Sequence, residues 1–447
     1  MTRKITLPKN TSMLKKPFLY GVATSSFQIE GAIDRRLPCI WDTFCNTPGK
    51  IADGSNGAIA CEHVDRLEQD LDLIQQLGVD AYRFSISWPR VMDENNQLNP
   101  RGLAFYQSVI SGLKKRNIQA FITLYHWDLP QYLEDKGGWL NRQTAYEFAH
   151  YANEVAKHLG DSVVSYATFN EPFCAAHLGY ELGVHAPGLT GRLNGRTAAH
   201  HILLAHGLGV QAIRQHVTAA KVGIVLNFTP CYAVTNSAAD LIATKNADEY
   251  INQWYAKPVL EGAYPDVLEL LENNEKPPIE EGDMTIIHQP IDFLGVNFYT
   301  RLMYSSPNKN GELYHEHEHG FPRTDIGWEI YPQALADLLV DLHERYDLPP
   351  VYITENGAAI DDKIENGTVN DWRRTDYYEQ HLIALAFAIK HGVNVQGYFA
   401  WSLMDNFEWA EGYLKRFGLV YVDYETQERT LKNSALAYKE LLASRTE

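Results

Sequence analysis

The amino-acid sequence predicts an α/β fold, a (β/α)8 barrel (TIM barrel) with long loops after its strands. Short apolar runs alternate with longer segments of helical periodicity along almost the whole chain. The apolar runs are hydrophobic enough to be buried on both faces, as the strands of a parallel sheet are. No long linker rich in Pro, Gly or Ser divides the 447 residues, so we expect one catalytic domain over residues 1–447.

Eight apolar runs are predicted to be the strands of the barrel, and polar residues follow each of them. In chain order they are Phe18–Thr24, Ala81–Ser87, Gln119–Tyr125, Val164–Phe169, Val222–Asn227, Phe293–Tyr299, Val351–Thr354 and Val395–Trp401. A bare barrel takes about 250 residues, so the surplus fits long loops at the catalytic face. The largest of these loops is the irregular segment Arg301–Trp328, and others are Leu37–Glu62 and Phe173–Arg196.

The segments between the strands repeat apolar residues at three- and four-residue spacing, which predicts helices. The clearest of them, Asp65–Gly78, stops at a glycine. The others are Leu103–Arg116, Thr144–Leu159, Thr197–His216, Asp248–Leu260, Pro332–Tyr346 and Arg373–His391. The competing fold is a doubly wound open sheet, which would normally show G-x-G-x-x-G after its first strand; Gly21–Gly31 does not match that pattern.

The composition restricts the class of protein. There are 39 Lys and Arg against 56 Asp and Glu, a net charge of -17, and such a surface repels nucleic acids and anionic membranes. The five cysteines are odd in number and lack C-x-x-C spacing, which favours a reducing compartment. No signal segment and no run of 18 apolar residues is visible, so the sequence predicts a cytoplasmic protein without membrane or nucleic-acid partners.

Two glutamates stand just beyond predicted strands. Glu171 lies in the segment TFNEP (168–172) and Glu355 in the segment ITENG (353–357). Functional side chains of such barrels lie at the carboxyl ends of strands. Two carboxyl groups on separate strands are what the cleavage of a sugar acetal requires, because one donates a proton while the other attacks or stabilises positive charge. Because the chain has 56 Asp and Glu, the pair alone proves little, and the prediction of a glycoside hydrolase depends on the residues that accompany it.

The remaining strand ends carry residues that would be unusual in a purely structural core. They are Gln28, Arg83, His126 with Trp127, Asn170, Asn227, Asn297 with Tyr299, and Trp401. Because the strands of a barrel converge, we expect these side chains to meet at its mouth.

Six segments of the chain resemble the family 1 glycoside hydrolases, which include the retaining β-glucosidases. They are TFNEP and ITENG with Asn297–Tyr299, Tyr125–Trp127, Trp401–Trp409 and Gly21–Gly31. The resemblance extends from about Phe18 to Tyr438. It implies a β-glucosidase that works by double displacement with net retention and needs no cofactor.

The resemblance also implies roles for individual residues. Glu171 matches the acid/base of the family and Glu355 matches its nucleophile, while Arg83 and Tyr299 stabilise the Glu355 carboxylate. A retaining mechanism predicts a separation of about 5–5.5 Å between the two carboxyl groups. Because like charges at that distance disfavour double ionisation, we expect Glu171 to be protonated near neutral pH and Glu355 to be ionised.

A pyranose ring needs polar side chains for its hydroxyls and an aromatic surface for its apolar face. By the resemblance, the hydroxyls of the nonreducing sugar contact Gln28, His126, Asn170, Glu408 and Trp409. Trp127 and Asn297 are assigned to the same substrate-binding set, and Trp401 lies beneath the sugar ring. Trp328 resembles the platform for the leaving group, and we expect Cys174 and His177 to line this outer subsite.

The expected substrates are cellobiose, short cello-oligosaccharides and aryl β-glucosides, with some β-galactosidase or β-fucosidase side activity. One alternative is a 6-phospho-β-glycosidase. The intact Glu408-Trp409 pair disfavours it because a carboxylate there would repel a phosphate, although Lys415-Arg416 keeps it open. The other is a catalytically silent sugar-binding relative, which would usually lack one of the two glutamates. Both a monomer and a homo-oligomer are compatible with the sequence.

The run His315-Glu-His-Glu-His319 resembles a metal-binding sequence. It lies in the longest predicted loop, where no helix or strand would fix the geometry of the ligands. We therefore predict no metal site.

Overall fold

The computed structural model describes residues 3–309 and 311–447. Eight parallel strands form a closed barrel, in which each strand pairs with the next and the last pairs with the first. They are β1 (Leu19–Ala23), β2 (Ala81–Ser85), β3 (Gln119–Tyr125), β4 (Ser165–Asn170), β5 (Lys221–Phe228), β6 (Phe293–Phe298), β7 (Val351–Asn356) and β8 (Val395–Trp401). All eight correspond to predicted strands, so the predicted (β/α)8 fold is confirmed.

A helix follows each strand and packs on the outside of the barrel. These helices are α1 (Leu67–Leu77), α2 (Pro100–Lys115), α3 (Gln143–Leu159), α4 (Arg192–Arg214), α5 (Trp254–Glu261), α6 (Gln333–Arg345), α7 (Trp372–Lys390) and α8 (Asn433–Ala443). Only α8 was not predicted. Several of its buried positions are small residues, among them Ser434, Ala435 and Ala437, so its apolar face is inconspicuous in the sequence.

The region predicted as one helix, Asp248–Leu260, has three parts in the structure. An α-helix over Ala238–Asp248 continues into a π-helix over Glu249–Gln253, and α5 follows directly. Pro258 lies inside α5 and has no N–H for the helical hydrogen-bond ladder. Hydrophobic periodicity alone does not reveal such a change of helix type.

Shorter elements connect the barrel units. The helical ones are Ser12–Leu14, Ser26–Ile29, Ile33–Arg35, Ile40–Cys45, Trp88–Val91, Gln131–Glu134, Gly138–Leu140, Gly160–Ser162, Asp266–Leu270, Asp283–Ile287 and Trp409–Glu411. Two small hairpins pair Ile364–Glu365 with Thr368–Val369 and Val420–Val422 with Arg429–Leu431. In the described part of the chain, no helix is both long and apolar enough to cross a membrane.

All three predicted loops contain regular structure, and in Leu37–Glu62 it is the helix Ile40–Cys45. Within Arg301–Trp328, the strand Leu302–Ser305 pairs antiparallel with His315–Glu316 and parallel with Cys231–Ala233. This segment is therefore part of a three-stranded sheet and not an irregular insertion. The loop after β4 contains a π-helix over Cys174–Glu181.

The interior of the barrel changes from apolar to polar along the strands. A separate apolar cluster fills the interior and includes Phe121, Phe293 and Phe399. Residues four positions apart in a strand lie on the same face, and Asn297 follows Phe293 in this way on β6. The apolar layers therefore support a polar layer at the carboxyl ends of the strands.

Both strands that lead to the two glutamates are irregular at their carboxyl ends. The register of β4 against β5 shifts between Ala167 and Asn170. The register of β7 against β6 shifts between Ile353 and Glu355. Such bulges change the direction of the following side chain, and here they come directly before Glu171 and at Glu355.

Candidate active site

The mouth of the barrel opens into a cavity of about 520 Å³. Among the predicted site residues, its walls contain His126, Trp127, Glu171, Asn297, Tyr299, Trp328, Glu355, Trp401, Glu408 and Trp409. The other predicted residues, Gln28, Arg83 and Asn170, lie just behind the wall and hydrogen-bond to residues in it. The structure thus brings all of the predicted site residues together.

Glu355 lies near the end of β7 with both carboxylate oxygens engaged. Arg83 Nη1 donates to Oε1 at 2.7 Å, and the Tyr299 hydroxyl donates to Oε2 at 2.7 Å. The side chains of Arg83 and Glu355 are only 3% and 4% exposed, so this ion pair is shielded from water. Buried charges need such partners, and this carboxyl is therefore arranged to be ionised.

Glu171 follows β4 with a backbone φ of 49°, a conformation that is rare for a residue with a side chain. Its backbone N–H donates to Val225 O at 2.9 Å. Asn297 Nδ2 donates to Oε1 at 2.6 Å, and Cys174 Sγ donates to Oε2 at 3.1 Å. These partners are neutral, so no positive charge touches this carboxyl.

The different partners separate the ionisation of the two groups. Burial, followed by the negative charge of Glu355, raises the pKa of Glu171 to about 8. Burial raises the pKa of Glu355 as well, and the Arg83 charge and the hydrogen bonds from Arg83 and Tyr299 offset part of this rise. Of the two groups, Glu355 is therefore the carboxyl that ionises first.

Asn170 and Asn297 link the two carboxyl groups. Asn170 Oδ1 accepts from Arg83 Nη2 at 2.6 Å and from Asn297 Nδ2 at 3.0 Å. Asn297 Oδ1 in turn accepts from Thr354 Oγ1 at 2.7 Å. These contacts fix which side-chain amide atom is oxygen and which is nitrogen in both Asn170 and Asn297. The donors and acceptors of this polar network are therefore assigned consistently.

The same network fixes the tautomer of His126. Asn170 Nδ2 must be the donor in its 3.1 Å contact with His126 Nε2, so the ring proton is on Nδ1. Burial, assisted by the Arg83 charge, holds the pKa of His126 well below 6.5. The imidazole is therefore neutral, and Nδ1 has no protein acceptor.

Trp127, Trp401 and Trp409 form one aromatic group in the cavity wall. Trp127 and Trp409 lie 4.5 Å apart between ring centroids, and the His126 ring is stacked against both Trp401 and Trp409 at 5.9 Å. The indole N–H of Trp127 donates to Asn170 O at 2.9 Å. Trp127 therefore offers a ring surface to a ligand and not its donor.

Trp127 and Trp409 also have left-handed backbones, with φ of 78° and 49°. Together with Glu171, three non-glycine residues of one cavity have this unfavourable conformation. Backbone strain of this kind concentrates at functional sites. No pattern in the sequence indicated it.

Glu408 adds a third carboxyl group to the cavity. Burial and the charges of Glu355 and Glu171 raise the pKa of this half-buried residue to about 8. Gln28 Nε2 lies 3.5 Å from its Oε2 and donates more closely to Phe407 O, at 2.8 Å. Gln28 thereby attaches the β1 loop to the segment after β8.

The outer part of the cavity is more apolar. Trp328 is half-buried, and its ring centroid is 5.3 Å from that of Tyr299. Cys174 and His177 both line the wall, as expected. His177 Nδ1 lies 3.1 Å from both Glu181 Oε2 and Arg196 Nη2, so this ring atom is already engaged.

Some lining residues were not predicted. Glu316 and His319 line the cavity from the segment after β6, and Glu411 lines it from the end of the short helix Trp409–Glu411. Asn227, at the end of β5, was noted in the sequence but received no role. The contact between Cys174 and Glu171 was also missed, although their three-residue spacing before a helix was a usable signal.

Lys415 and Arg416, the residues that kept a 6-phospho-β-glycosidase possible in the sequence, contact other residues of the protein. Lys415 Nζ donates to Asp325 O at 2.7 Å, and Arg416 Nη1 pairs with Asp405 at 2.6 Å. Neither residue lines the cavity.

The histidine-rich run is divided between two environments. The rings of His315 and His317 are 4.8 Å apart, and His317 Nε2 contacts Ser305 Oγ at 2.8 Å. His319 instead lies near Thr300 in the cavity wall. Over 3–309 and 311–447, no group of three or more His, Cys, Asp or Glu residues is arranged to hold a metal ion.

A barrel whose mouth contains a proton-bearing and an ionised carboxyl beside an aromatic floor defines a glycoside hydrolase. The comparison with known families agrees, because residues 10–447 match the family described as "Glycosyl hydrolase family 1". The chain therefore belongs to glycosyl hydrolase family 1.

Individual relatives are similar over nearly their full lengths. A protein named "Beta-glucosidase" from Agrobacterium sp. is 48% identical over 435 residues, covering 95% of this chain and 94% of the relative. A "Bifunctional beta-D-glucosidase/beta-D-fucosidase" from Bifidobacterium breve is 43% identical, covering 97% and 99%. The solved structure of a Thermotoga maritima family 1 glycoside hydrolase with "a cyclophellitol analogue transition state mimic" is 41% identical with a TM-score of 0.94, covering 96% and 98%.

Proposed function

We propose that the protein is a retaining β-glucosidase that hydrolyses terminal, non-reducing β-D-glucosyl residues. The proposal rests on one observation, the opposite surroundings of two carboxyl groups in one cavity. Arg83 and Tyr299 hold Glu355 as a carboxylate, whereas Glu171 has neutral partners and a raised pKa of about 8. One group is ready to attack, and the other is ready to donate a proton.

In the first step, the Glu355 carboxylate attacks the anomeric carbon while Glu171 protonates the departing glycosidic oxygen. A covalent glycosyl ester of Glu355 forms, and the aglycone leaves. Arg83 prepares this step, since it keeps the nucleophile ionised in a site shielded from water.

In the second step, water replaces the aglycone. The ester carries no negative charge, so the repulsion that raises the pKa of Glu171 disappears. Glu171 then ionises more easily and takes a proton from the attacking water, which releases the sugar with its original β configuration. The state of one carboxyl group thus sets the role of the other.

We propose that the remaining predicted residues recognise the sugar. Neutral His126 offers the Nδ1–H donor, while Gln28 and Glu408 supply further polar groups. Trp401 offers a ring face to the sugar, and Trp328 a surface to the aglycone. Asn170, which is held by Arg83 and Asn297, is assigned to the 2-hydroxyl, whose hydrogen bonds strengthen in the transition state.

The proposed substrates are cellobiose, short cello-oligosaccharides and aryl β-glucosides, with β-fucosidase and β-galactosidase side activity. The names of the Agrobacterium and Bifidobacterium relatives support glucoside hydrolysis, and the latter also supports the fucosidase activity. The engaged side chains of Lys415 and Arg416 argue against a 6-phosphate substrate. The presence of both glutamates argues against a silent binding protein.

A single variant tests the assignment of the nucleophile. Glu355→Gly is expected to lose hydrolysis of 4-nitrophenyl β-D-glucoside, and added azide is expected to restore cleavage with α-D-glucosyl azide as the product. Formation of the β-azide would contradict the assignment of Glu355. As the matched control, Glu316→Gly removes another carboxylate of the cavity wall and is expected to gain nothing from azide.

Two further assignments stay proposals. We propose one domain, and the pairing of β8 with β1 supports this because the barrel closes only with both ends of the chain. We also propose a cytoplasmic location, for which the five free cysteines are the support.

A further inference from the structure

We propose that Cys174 is a positioning residue, which holds the oxygen of Glu171 that gives and takes the proton. This inference rests on the proposed role of Glu171 as the acid/base. In this role the Cys174 thiol neither binds the sugar nor takes part in a covalent step.

The hydrogen bonds around neutral Glu171 determine which of its two oxygens carries the proton. Asn297 Nδ2 donates to Oε1 at 2.6 Å, and the orientation of this amide is fixed because its Oδ1 accepts from Thr354. An oxygen that accepts so short a hydrogen bond is a poor position for the acidic proton. The proton of neutral Glu171 therefore belongs on Oε2.

The thiol of Cys174 lies next to Oε2 of Glu171. Cys174 Sγ lies 3.1 Å from this oxygen, and the residue lines the cavity while being only 8% exposed. The geometry comes from the chain itself, because the N–H groups of Cys174 and Ala175 both donate to Glu171 O as the helix begins. The thiol therefore meets the carboxyl at the oxygen that exchanges the proton.

The contact differs between the two states of Glu171. When Glu171 is ionised, Oε2 is negative and accepts the S–H as a hydrogen bond to a charged group. When Glu171 is neutral, the same oxygen carries a proton and the thiol gains little. Cys174 therefore favours the ionised state, the one needed to activate water, and opposes the effect of burial on the pKa of Glu171.

Other charged or titratable groups also act on Glu171. Glu355 on β7 raises its pKa and Arg83 on β2 lowers it. Glu408 after β8 and Tyr299 after β6 lie close enough to interact with it electrostatically. Cys174 differs from these four groups because it alone touches Oε2 directly.

The test is the pH dependence of kcat/KM on 4-nitrophenyl β-D-glucoside. Cys174→Ala is expected to move the basic limb up by about half a pH unit, because a weak donor to a charged group is lost. Cys174→Ser keeps a donor and is expected to return the limb to the wild-type position. Cys231→Ala, which removes a thiol outside the cavity, is the matched control and is expected to change nothing.

The outcomes separate this inference from the proposed function. A wild-type profile without a basic limb, or a limb that persists in Glu171→Gln, would contradict the role of Glu171. If that limb behaves as expected, an unmoved profile in Cys174→Ala would overturn the role of Cys174 alone. A profile for Cys174→Ser that matches Cys174→Ala would overturn it too, since the effect would then not depend on a donor.

Discussion

Glu171 and Glu355 have the same side chain, and their neighbours make them chemically different. Glu355 has a guanidinium and a phenol as partners, whereas Glu171 has an amide and a thiol. Both are almost fully buried, so solvent screens these differences only weakly. Burial raises the pKa of both groups and the Arg83 charge lowers both, but only Glu355 is paired with Arg83 directly.

The Tyr299 hydroxyl allows a test of this difference. Tyr299→Phe removes a hydrogen bond that lowers the pKa of Glu355, so the acidic limb of the kcat/KM profile is expected to move to higher pH. We expect kcat/KM to fall roughly 10- to 100-fold, because a hydrogen bond to a charged group is lost. Tyr314→Phe, in the same wall, is the control. An unmoved acidic limb in Tyr299→Phe would contradict the role of Tyr299.

The raised pKa of Glu171 also affects stability. Its pKa is about 8 in the folded protein, against an ordinary value of 4.5, so the folded state binds this proton more tightly than the unfolded state. Stability is therefore lost as pH rises from about 4.5 to about 8. The Glu171→Gln variant cannot ionise at this position and does not lose stability in this way. Its free energy of unfolding relative to the wild type is therefore expected to rise by a few kcal/mol between about pH 4.5 and about pH 8.

Thermal melts at pH 5 and pH 8 measure this effect. The melting temperature of Glu171→Gln is expected to exceed that of the wild type by more at pH 8 than at pH 5. Glu62→Gln, at a partly exposed residue paired with Arg66, is the control and is expected to show little change. An advantage of Glu171→Gln that shrinks at pH 8 would contradict the sign of the pKa shift.

At the scale of elements, the segment Trp401–Trp409 depends on a buried charge cluster beneath it. Asp405, within this segment, accepts from Lys432 Nζ at 2.6 Å, and Lys432 also pairs with Asp362 at 2.6 Å. Arg374 joins the cluster through Asp362. None of these four side chains is more than 1% exposed. Lys432 precedes α8, so the last helix is connected to the segment that carries Trp401, Glu408 and Trp409.

Removing the central lysine should therefore be costly. Lys432→Met leaves two aspartates buried with less compensation, and we expect a loss of about 3–5 kcal/mol in the free energy of unfolding. Lys4→Met removes an exposed pair with Glu440 and is expected to cost less than about 0.5 kcal/mol. Urea denaturation of both variants measures the difference. Equal midpoints would show that the cluster does not hold this segment.

The sequence predicted the positions of the strands and most helices, but not the irregularities within the strands. Apolar runs identified all eight strands, because a strand buried on both faces has few polar residues. Helix α8 was missed because small residues fill much of its buried face. The bulges before Glu171 and at Glu355 were also invisible, since register depends on how two strands pair and not on either strand alone.

The sequence predicted which residues meet at the barrel mouth, because strand ends converge in a barrel and because the surrounding motifs resemble a known family; the roles of these residues stay predictions. The residues that contact these site residues from outside the motifs were harder to predict. The contact of Cys174 with Glu171 and the engagement of Lys415 with Asp325 O depend on loop geometry. The left-handed backbones of Trp127, Glu171 and Trp409 depend on surrounding packing that no local sequence pattern encodes.

At the scale of the whole molecule, the charge of the chain bears on its choice of substrate. The net charge is -17, and the cavity wall itself contains Glu171, Glu316, Glu355, Glu408 and Glu411. Lys415 and Arg416, the two basic residues that could have bound a phosphate, contact other groups outside the cavity. A neutral sugar therefore fits this field better than a phosphorylated sugar.

Comparing 4-nitrophenyl β-D-glucoside with its 6-phosphate tests this expectation. We expect kcat/KM to favour the neutral glucoside by roughly 100-fold or more, since an unpaired charge would have to enter a buried, acidic site. Glu408→Gln should narrow the ratio above about pH 8, where Glu408 is ionised and its charge lies next to the predicted sugar site. A preference for the 6-phosphate would contradict the proposed substrate class.

The closed barrel brings Glu171 from β4 and Glu355 from β7 to one cavity, and the central claim is that they act on one anomeric carbon in two successive displacements. The most direct measurement is a ¹H NMR time course of 4-nitrophenyl β-D-glucoside hydrolysis, started with enough enzyme to outrun mutarotation. The account predicts that β-D-glucose appears first and that the α-anomer follows only through mutarotation. Initial release of α-D-glucose would contradict it.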